Sequence, residues 1–138
     1  MFKKLIFGLS LWLFATTLSF GANFDDGVNA YEKGDYKTAL TIFEDLAKKG
    51  DIDAQYNLGL MYDNGYGVKQ DYKKAFEWYE KAATQGIAEA QNNLGVMYDD
   101  GYGVRQDKKI AKELYGKACD GGFQIACDNY KILNQEGY

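Results

Sequence analysis

The chain has 138 residues, of which 46% are hydrophobic, and a formal net charge of −4 from 16 basic and 20 acidic side chains. An acidic chain with scattered lysines lacks the basic patch that nucleic-acid binding requires, so we expect no nucleic acid as a partner. This length predicts one domain.

Residues 1–21 have the layout of a secretory signal peptide. Two N-terminal lysines precede an apolar run from Leu5 to Phe20, and small residues follow it. The alternative is a membrane anchor, although this run is shorter than the roughly 20 residues that span a bilayer. We therefore expect a secreted or periplasmic mature chain, residues 22–138, without membrane attachment. Loss of the two lysines changes its formal charge from −4 to −6.

A shortened helical unit is predicted over residues 23–52. Its first helix is expected from Asn23 to Lys33 and ends before Gly34. Asp35 then caps a second helix, whose apolar residues recur at three- and four-residue spacing. The turn between these helices resembles the tight turn of tetratricopeptide repeats.

The next 72 residues are one 36-residue unit written twice, as 53–88 and 89–124, with 21 of the 36 positions identical. A fixed period of this size predicts a repeat architecture in which each unit buries its apolar face against its neighbours. Second helices are expected at about 71–85 and 107–120. Residues 125–138 align with the start of a third copy and are predicted to form a terminal half-repeat with a more polar outer face.

Small residues recur at fixed positions of the unit. Gly59 and Gly95 lie inside first helices, where glycine costs about 1 kcal/mol relative to alanine. Their recurrence predicts that a neighbouring helix approaches too closely there for a Cβ. Recurring alanines are predicted to be further close-contact points: Ala54, Ala82, Ala90, Ala118 and Ala126.

Sequence patterns in the first full copy identify a family resemblance. They read Ala-Gln-x-x-Leu-Gly-x-x-Tyr, Gly-x-Gly-Val, Asp-x-x-Lys-Ala and Trp-Tyr-x-Lys-Ala-Ala, followed by glycine. These patterns resemble the Sel1-like repeat (SLR), a relative of the tetratricopeptide repeat. The second copy departs from them at Leu114 and Cys119. The resemblance implies an all-α fold, an α/α solenoid of antiparallel helix pairs that extends over the mature chain.

Cys119 and Cys127 are the only cysteines. Antiparallel helices joined by a short turn can bring such positions to the roughly 5.5 Å Cα separation of a disulfide, and an exported chain is oxidised. A redox-active pair is the alternative, but this spacing lacks the local geometry of Cys-x-x-Cys. We expect a structural disulfide. The pair also resembles that in the repeats of secreted Helicobacter cysteine-rich proteins.

No catalytic, metal-binding or cofactor-binding residues are predicted. Some of those cysteine-rich proteins are associated with β-lactam binding or hydrolysis. The mature chain has no serine nucleophile and no histidine. The two Asp-rich turns resemble fragments of a calcium loop, but the acids required at alternating positions are missing. A helix end explains these turns.

The resemblance to tetratricopeptide repeats implies that the first helices line a concave groove. We expect a monomer that binds a protein or a basic or amphipathic peptide there, although a solvated face is the alternative. Other possibilities are a β-lactam or cell-wall peptide binding protein with weak β-lactamase activity, and a component of a larger complex. The predicted binding residues are Asp53, Tyr56, Leu60, Asp63, Asn64, Glu89, Asn92, Val96, Asp99 and Asp100.

Overall fold

The computed structural model describes residues 21–138, which fold into seven helices without a strand. The predicted signal peptide lies outside these residues, apart from its last position. The extensive contacts join helices that follow one another in the chain. This confirms an all-α solenoid of helix hairpins. The helices are α1 Phe24–Glu32, α2 Tyr36–Lys48, α3 Ile52–Asn64, α4 Tyr72–Thr84, α5 Ala88–Asp100, α6 Lys108–Asp120 and α7 Gln124–Gln135.

Side-chain caps start most of these helices where the sequence predicts. Asp71 and Asp107 each accept hydrogen bonds from two backbone N–H groups of the next turn, at 3.1 to 3.2 Å. Asp35 accepts one from Thr38 at 3.2 Å. These carboxylates satisfy N–H groups that have no partner within the helix. The second helices therefore begin one residue after each predicted aspartate.

Within each hairpin, an aromatic ring of the second helix lies on a glycine of the first. A Cβ added at Gly59 would lie 2.5 Å from Cε1 of Tyr79, and one at Gly95 would lie 2.7 Å from Tyr115. The predicted close approach at both glycines is confirmed. Gly27 and Phe43 form the same contact, at 2.6 Å, in the shortened unit. All five close-contact alanines are fully buried.

The long turn within each full unit packs against the preceding unit. The turn glycines Gly67 and Gly103 have φ values of 70° and 69°, in the left-handed region that favours glycine. A Cβ at Gly67 would also lie 2.6 Å from the carbonyl oxygen of Tyr36, in the preceding unit. Beside it, the ring of Tyr66 stacks on Tyr36 with centroids 4.7 Å apart. Glycine is required there because the backbones of two units meet.

The Cys119–Cys127 disulfide is present and joins the end of α6 to the start of α7, with a Cα separation of 4.6 Å. One repeat earlier, the Gln91 side chain donates a hydrogen bond to the carbonyl oxygen of Ala83 at 3.1 Å. These two residues occupy the positions of Cys127 and Cys119. The bridge thus replaces a hydrogen bond across the same junction.

The sequence predicts a more polar outer face for the terminal half-repeat, and α7 also exposes apolar side chains on its surface. Ile125 and Ile132 are 58% and 52% exposed, and Tyr130 is 39% exposed. Among the described residues, no helix follows α7 to cover these side chains. No helix within residues 21–138 is both long and apolar enough to cross a membrane.

Candidate functional site

Nine of the ten predicted binding residues form a surface on α3 and α5, the first helices of the two full repeats. We refer to these nine as the first-helix face. The exposed members are Asp53, Asn64, Glu89 and Asp100, and the partly buried members are Tyr56, Leu60, Asp63, Val96 and Asp99. A mixture of exposed acids with partly buried apolar and aromatic side chains resembles a protein-binding surface with a polar rim.

Asn92 is the exception, and its predicted exposure is wrong. Only 6% of the residue is exposed. Its Oδ1 accepts a hydrogen bond from Asn129 on α7 at 3.1 Å, and its amide donates to Asn93 at 3.4 Å. The reason is that α7 packs against this part of α5 and covers the Asn92 side chain. Asn92 connects two neighbouring first helices and is part of the structure, so its replacement would not test binding alone.

Tyr56 lies where α3 meets the next repeat. Its ring centroid is 6.0 Å from that of Tyr79, and the planes are tilted by 39°. Burial raises the pKa of the Tyr56 hydroxyl, and the carboxylate of Glu89 on α5 raises it further. The hydroxyl is therefore neutral at physiological pH and offers both a donor and an acceptor at the edge of the face.

Two carboxylates of the first-helix face are held by buried tyrosines. The hydroxyl of Tyr79 donates to Asp63 at 3.1 Å, and that of Tyr115 donates to Asp99 at 3.4 Å. Burial, followed by the adjacent carboxylate, raises the pKa of both tyrosines. Neither tyrosine is among the predicted binding residues. The signal for the pairing is the separation of 16 residues, which occurs in both repeats.

The two carboxylates differ in their charged neighbours. Asp99 forms an ion pair with Lys108, whose Nζ lies 3.0 Å from its Oδ1. Among residues 21–138, no basic side chain lies within 4.0 Å of the Asp63 carboxylate. Burial raises the pKa of Asp63, and the hydrogen bond from Tyr79 partly offsets this. Asp63 is thus a half-buried carboxylate whose hydrogen-bond donor is neutral.

A cavity of about 160 Å³ lies beside Asp63, between the end of α3, the start of α4 and α5. Its walls combine a carboxylate and an amide with two tyrosine rings and two apolar side chains. The rings of Tyr72 and Tyr102 are stacked, with centroids 5.0 Å apart and planes at 17°. The lining residues are Asp63, Tyr72, Asn93, Val96, Met97 and Tyr102.

The described residues offer little for metal-dependent or nucleophilic chemistry. Between residues 21 and 138, no three acidic or cysteine side chains are grouped as a metal site requires. Both cysteines are bonded to each other. Asp63 and Asn64 are the last turn of α3, and Gly65 ends that helix with a φ of 70°. The helix-end interpretation of the Asp-rich turn is confirmed.

Comparisons with solved structures identify proteins of the same architecture. One is a protective antigen present in uropathogenic Escherichia coli strains and described as displaying an SLR fold. It is 31% identical to this chain, with a TM-score of 0.78, and the match covers 83% of this chain and 26% of the antigen. A Sel1 repeat protein from Oxalobacter formigenes is 34% identical with a TM-score of 0.79, over 83% of this chain and 47% of that one. The present chain therefore spans about a quarter and about half of their lengths.

Helicobacter pylori cysteine rich protein B also shares the fold, with 22% identity and a TM-score of 0.62, over 78% of this chain and 97% of that one. No protein with a curated description matches the chain. A model of the Sel1 repeat matches residues 52–87 and 88–123, which are the two full helix hairpins. The chain therefore belongs to the Sel1 repeat family, whose members generally act as protein-interaction scaffolds.

Proposed function

We propose that this chain is an exported, non-catalytic module that binds a protein or peptide through the first-helix face. The observation that carries this proposal is the half-buried Asp63 carboxylate beside a cavity walled by two tyrosines. Leaving a carboxylate partly desolvated without a cation disfavours its charged form, and a cationic partner would offset that cost. The general role of Sel1 repeat proteins as interaction scaffolds supports this class of function, and the composition of the first-helix face supports binding there.

The charge of the face favours a basic partner. Asp53, Glu89 and Asp100 are exposed around it, and Asp63 and Asp99 lie deeper. Carboxylates arranged in this way steer and orient a positively charged peptide. Apolar side chains lie between the carboxylates, so an amphipathic peptide would bury surface in addition to pairing charges.

Export is supported by features at the two ends of the chain. Residues 1–21 have a signal-peptide layout, and the disulfide at the other end is typical of proteins that mature in an oxidising compartment. Intact-mass measurement of protein from periplasm and medium tests this part. We expect a mature chain that begins near residue 22 and carries no free thiol. A full-length chain retained in the cytoplasm would contradict export.

Two charge-reversal variants of equal net charge test the binding surface. Glu89→Lys with Asp100→Lys changes the first-helix face, and Glu77→Lys with Glu113→Lys changes exposed positions of the second helices. Each pair is immobilised with its disulfide intact and exposed to envelope extract beside the wild-type protein. We expect a protein that wild type and the second-helix variant retain and the first-helix variant loses.

Equal retention by all three proteins would place binding elsewhere, and no retention by wild type would contradict a binding function in the envelope.

The non-catalytic part of the proposal has its own assay. Purified mature protein should not hydrolyse nitrocefin, because no serine or histidine follows residue 19. Turnover that persists through purification would contradict this part and favour the β-lactamase alternative.

A further inference from the structure

The chain contains its own example of how a cation occupies this kind of site. Lys108 begins α6, and its Nζ lies 3.0 Å from Asp99 Oδ1 and 3.5 Å from Glu136 Oε2. The same ammonium lies 5.3 Å from the ring centroid of Tyr138. In this repeat, a lysine head group is therefore held between a carboxylate and a tyrosine face, an arrangement that both charge pairing and cation–π attraction favour.

One repeat earlier, the aspartate and the tyrosine ring of that arrangement are present, but the cation is not. Asp63 stands at the position of Asp99 and accepts from its buried tyrosine at 3.1 Å. Tyr102 stands at the position of Tyr138. The position of Lys108 is held by Tyr72, which stacks on Tyr102 instead of pairing with the carboxylate.

The open space beside Asp63 has the size and lining for one long side chain. Its volume of about 160 Å³ is below the roughly 300–1,000 Å³ of typical small-molecule sites. Val96 and Met97 offer apolar surface for the methylene stem of a lysine or arginine. The Asn93 amide and the rings of Tyr72 and Tyr102 complete the lining beside the Asp63 carboxylate.

We propose that the cavity beside Asp63 receives the cationic end of a lysine or arginine side chain from the bound peptide, as Asp99 receives Lys108 within the chain. This inference rests on the proposed peptide-binding function and names the side chain that the surface recognises. The carboxylate of Asp63 pairs with the cation, the rings of Tyr72 and Tyr102 lie beside it, and the apolar stem contacts α5.

The test uses the exported protein and small probes, so that no natural partner is needed. N-acetyl-lysine amide and N-acetyl-arginine amide are titrated against it, and the amide signals of Asn93 and Val96 are followed by NMR. N-acetyl-norleucine amide is the uncharged control. We expect saturable shifts with one or both cationic probes and none with norleucine. Equal shifts with norleucine would overturn the inference, as would no shifts with either cationic probe.

Variants locate the interaction. Asp63→Asn is expected to weaken probe binding about tenfold, the equivalent of about 1.4 kcal/mol, while Glu77→Gln on the exposed part of α4 should leave it within about twofold on the same scale. Tyr72→Lys supplies the missing cation from within the chain and should abolish probe binding. Tyr72→Phe keeps the stacked ring without adding a cation, so it should weaken probe binding less than Tyr72→Lys does. Undiminished binding to Asp63→Asn would overturn the inference even if another variant failed to fold.

Failure of this inference is distinguishable from failure of the proposed function. If the first-helix variant loses its partner while Asp63→Asn keeps both the partner and the probe, the peptide-binding function is supported and the lysine pocket at Asp63 is refuted. If the probes bind at Asp63 but no envelope protein is retained by wild type, the pocket stands and the peptide-binding function falls.

Discussion

Replacing the disulfide by the residues that the preceding repeat carries at the same positions tests how the units are joined. The bridge closes a segment with a sequence separation of 8. In the chain-entropy model, such a loop stabilises the folded state by about 2.5 kcal/mol at 25 °C. Cys119→Ala with Cys127→Ala should lose this amount. Because the bridge holds only α7 to α6, the loss is expected first as local opening of α7.

Cys119→Ala with Cys127→Gln installs the pair found at Ala83 and Gln91, where the glutamine donates to the carbonyl at 3.1 Å. A net hydrogen bond is worth about 1 kcal/mol. This variant should therefore be about 1 kcal/mol more stable than the double-alanine protein and about 1.5 kcal/mol less stable than wild type.

Urea denaturation measures the free energy of unfolding of the three proteins, and amide hydrogen exchange in α7 separates local from global opening. Equal stability of the two variants would refute the equivalence between the bridge and the hydrogen bond. Equal stability of wild type and the double-alanine variant, by both methods, would refute a stabilising role for the disulfide.

Three further predictions concern the glycines, Asn92 and Asp63. Gly59→Ala should lower the free energy of unfolding by about 1 to 3 kcal/mol, because the Tyr79 ring occupies the space of the new Cβ. Gly116→Ala, whose Cβ would make an ordinary contact at 3.4 Å, should raise it by up to about 1 kcal/mol; urea denaturation distinguishes these opposite signs. Asn92→Ala should cost about 1 to 3 kcal/mol by the same method, since it leaves a partly buried amide on α7 without its partner. The pKa of Asp63 is raised in the folded state, so the stability of wild type relative to Asp63→Asn should fall as pH rises from the ordinary aspartate range through that raised pKa. If the difference in free energy of unfolding between these two proteins does not change with pH, the raised pKa of Asp63 is contradicted.

The repeat itself made most of the fold predictable. Identical residues 36 positions apart must serve the same contact, which is why the close approach at Gly59 and Gly95 followed from sequence alone. Gly27 and Phe43 make that contact too. Phe43 lies 36 residues before Tyr79, but the shorter turn of the first unit places Gly27 four positions away from the residue that aligns with Gly59, so an ungapped comparison does not find it. Periodicity predicts packing only while the spacing is kept.

The site was less predictable because its parts come from different units. The burial of Asn92 depends on where α7 lies relative to α5, and no pattern within one repeat contains that information. The proximity of Lys108 to Asp99 depends on how the long turn folds back. The sequence predicts which residues are on the first helices, and the stacking of the units decides which of them remain accessible.

The exchange of tyrosine for lysine between the repeats changes the charge beside two equivalent carboxylates. The Tyr72–Tyr102 stack contributes about 0.5 to 1.5 kcal/mol beyond its buried area. An ion pair near the surface such as Lys108–Asp99 contributes little to stability, because water and salt screen the two charges. Tyr72 also packs against the core, so each residue is compatible with the solenoid in its own repeat. The two residues differ in their effect on the neighbouring carboxylate. Lys108 neutralises Asp99, whereas Tyr72 carries no charge and leaves the Asp63 carboxylate available to a cation from another molecule.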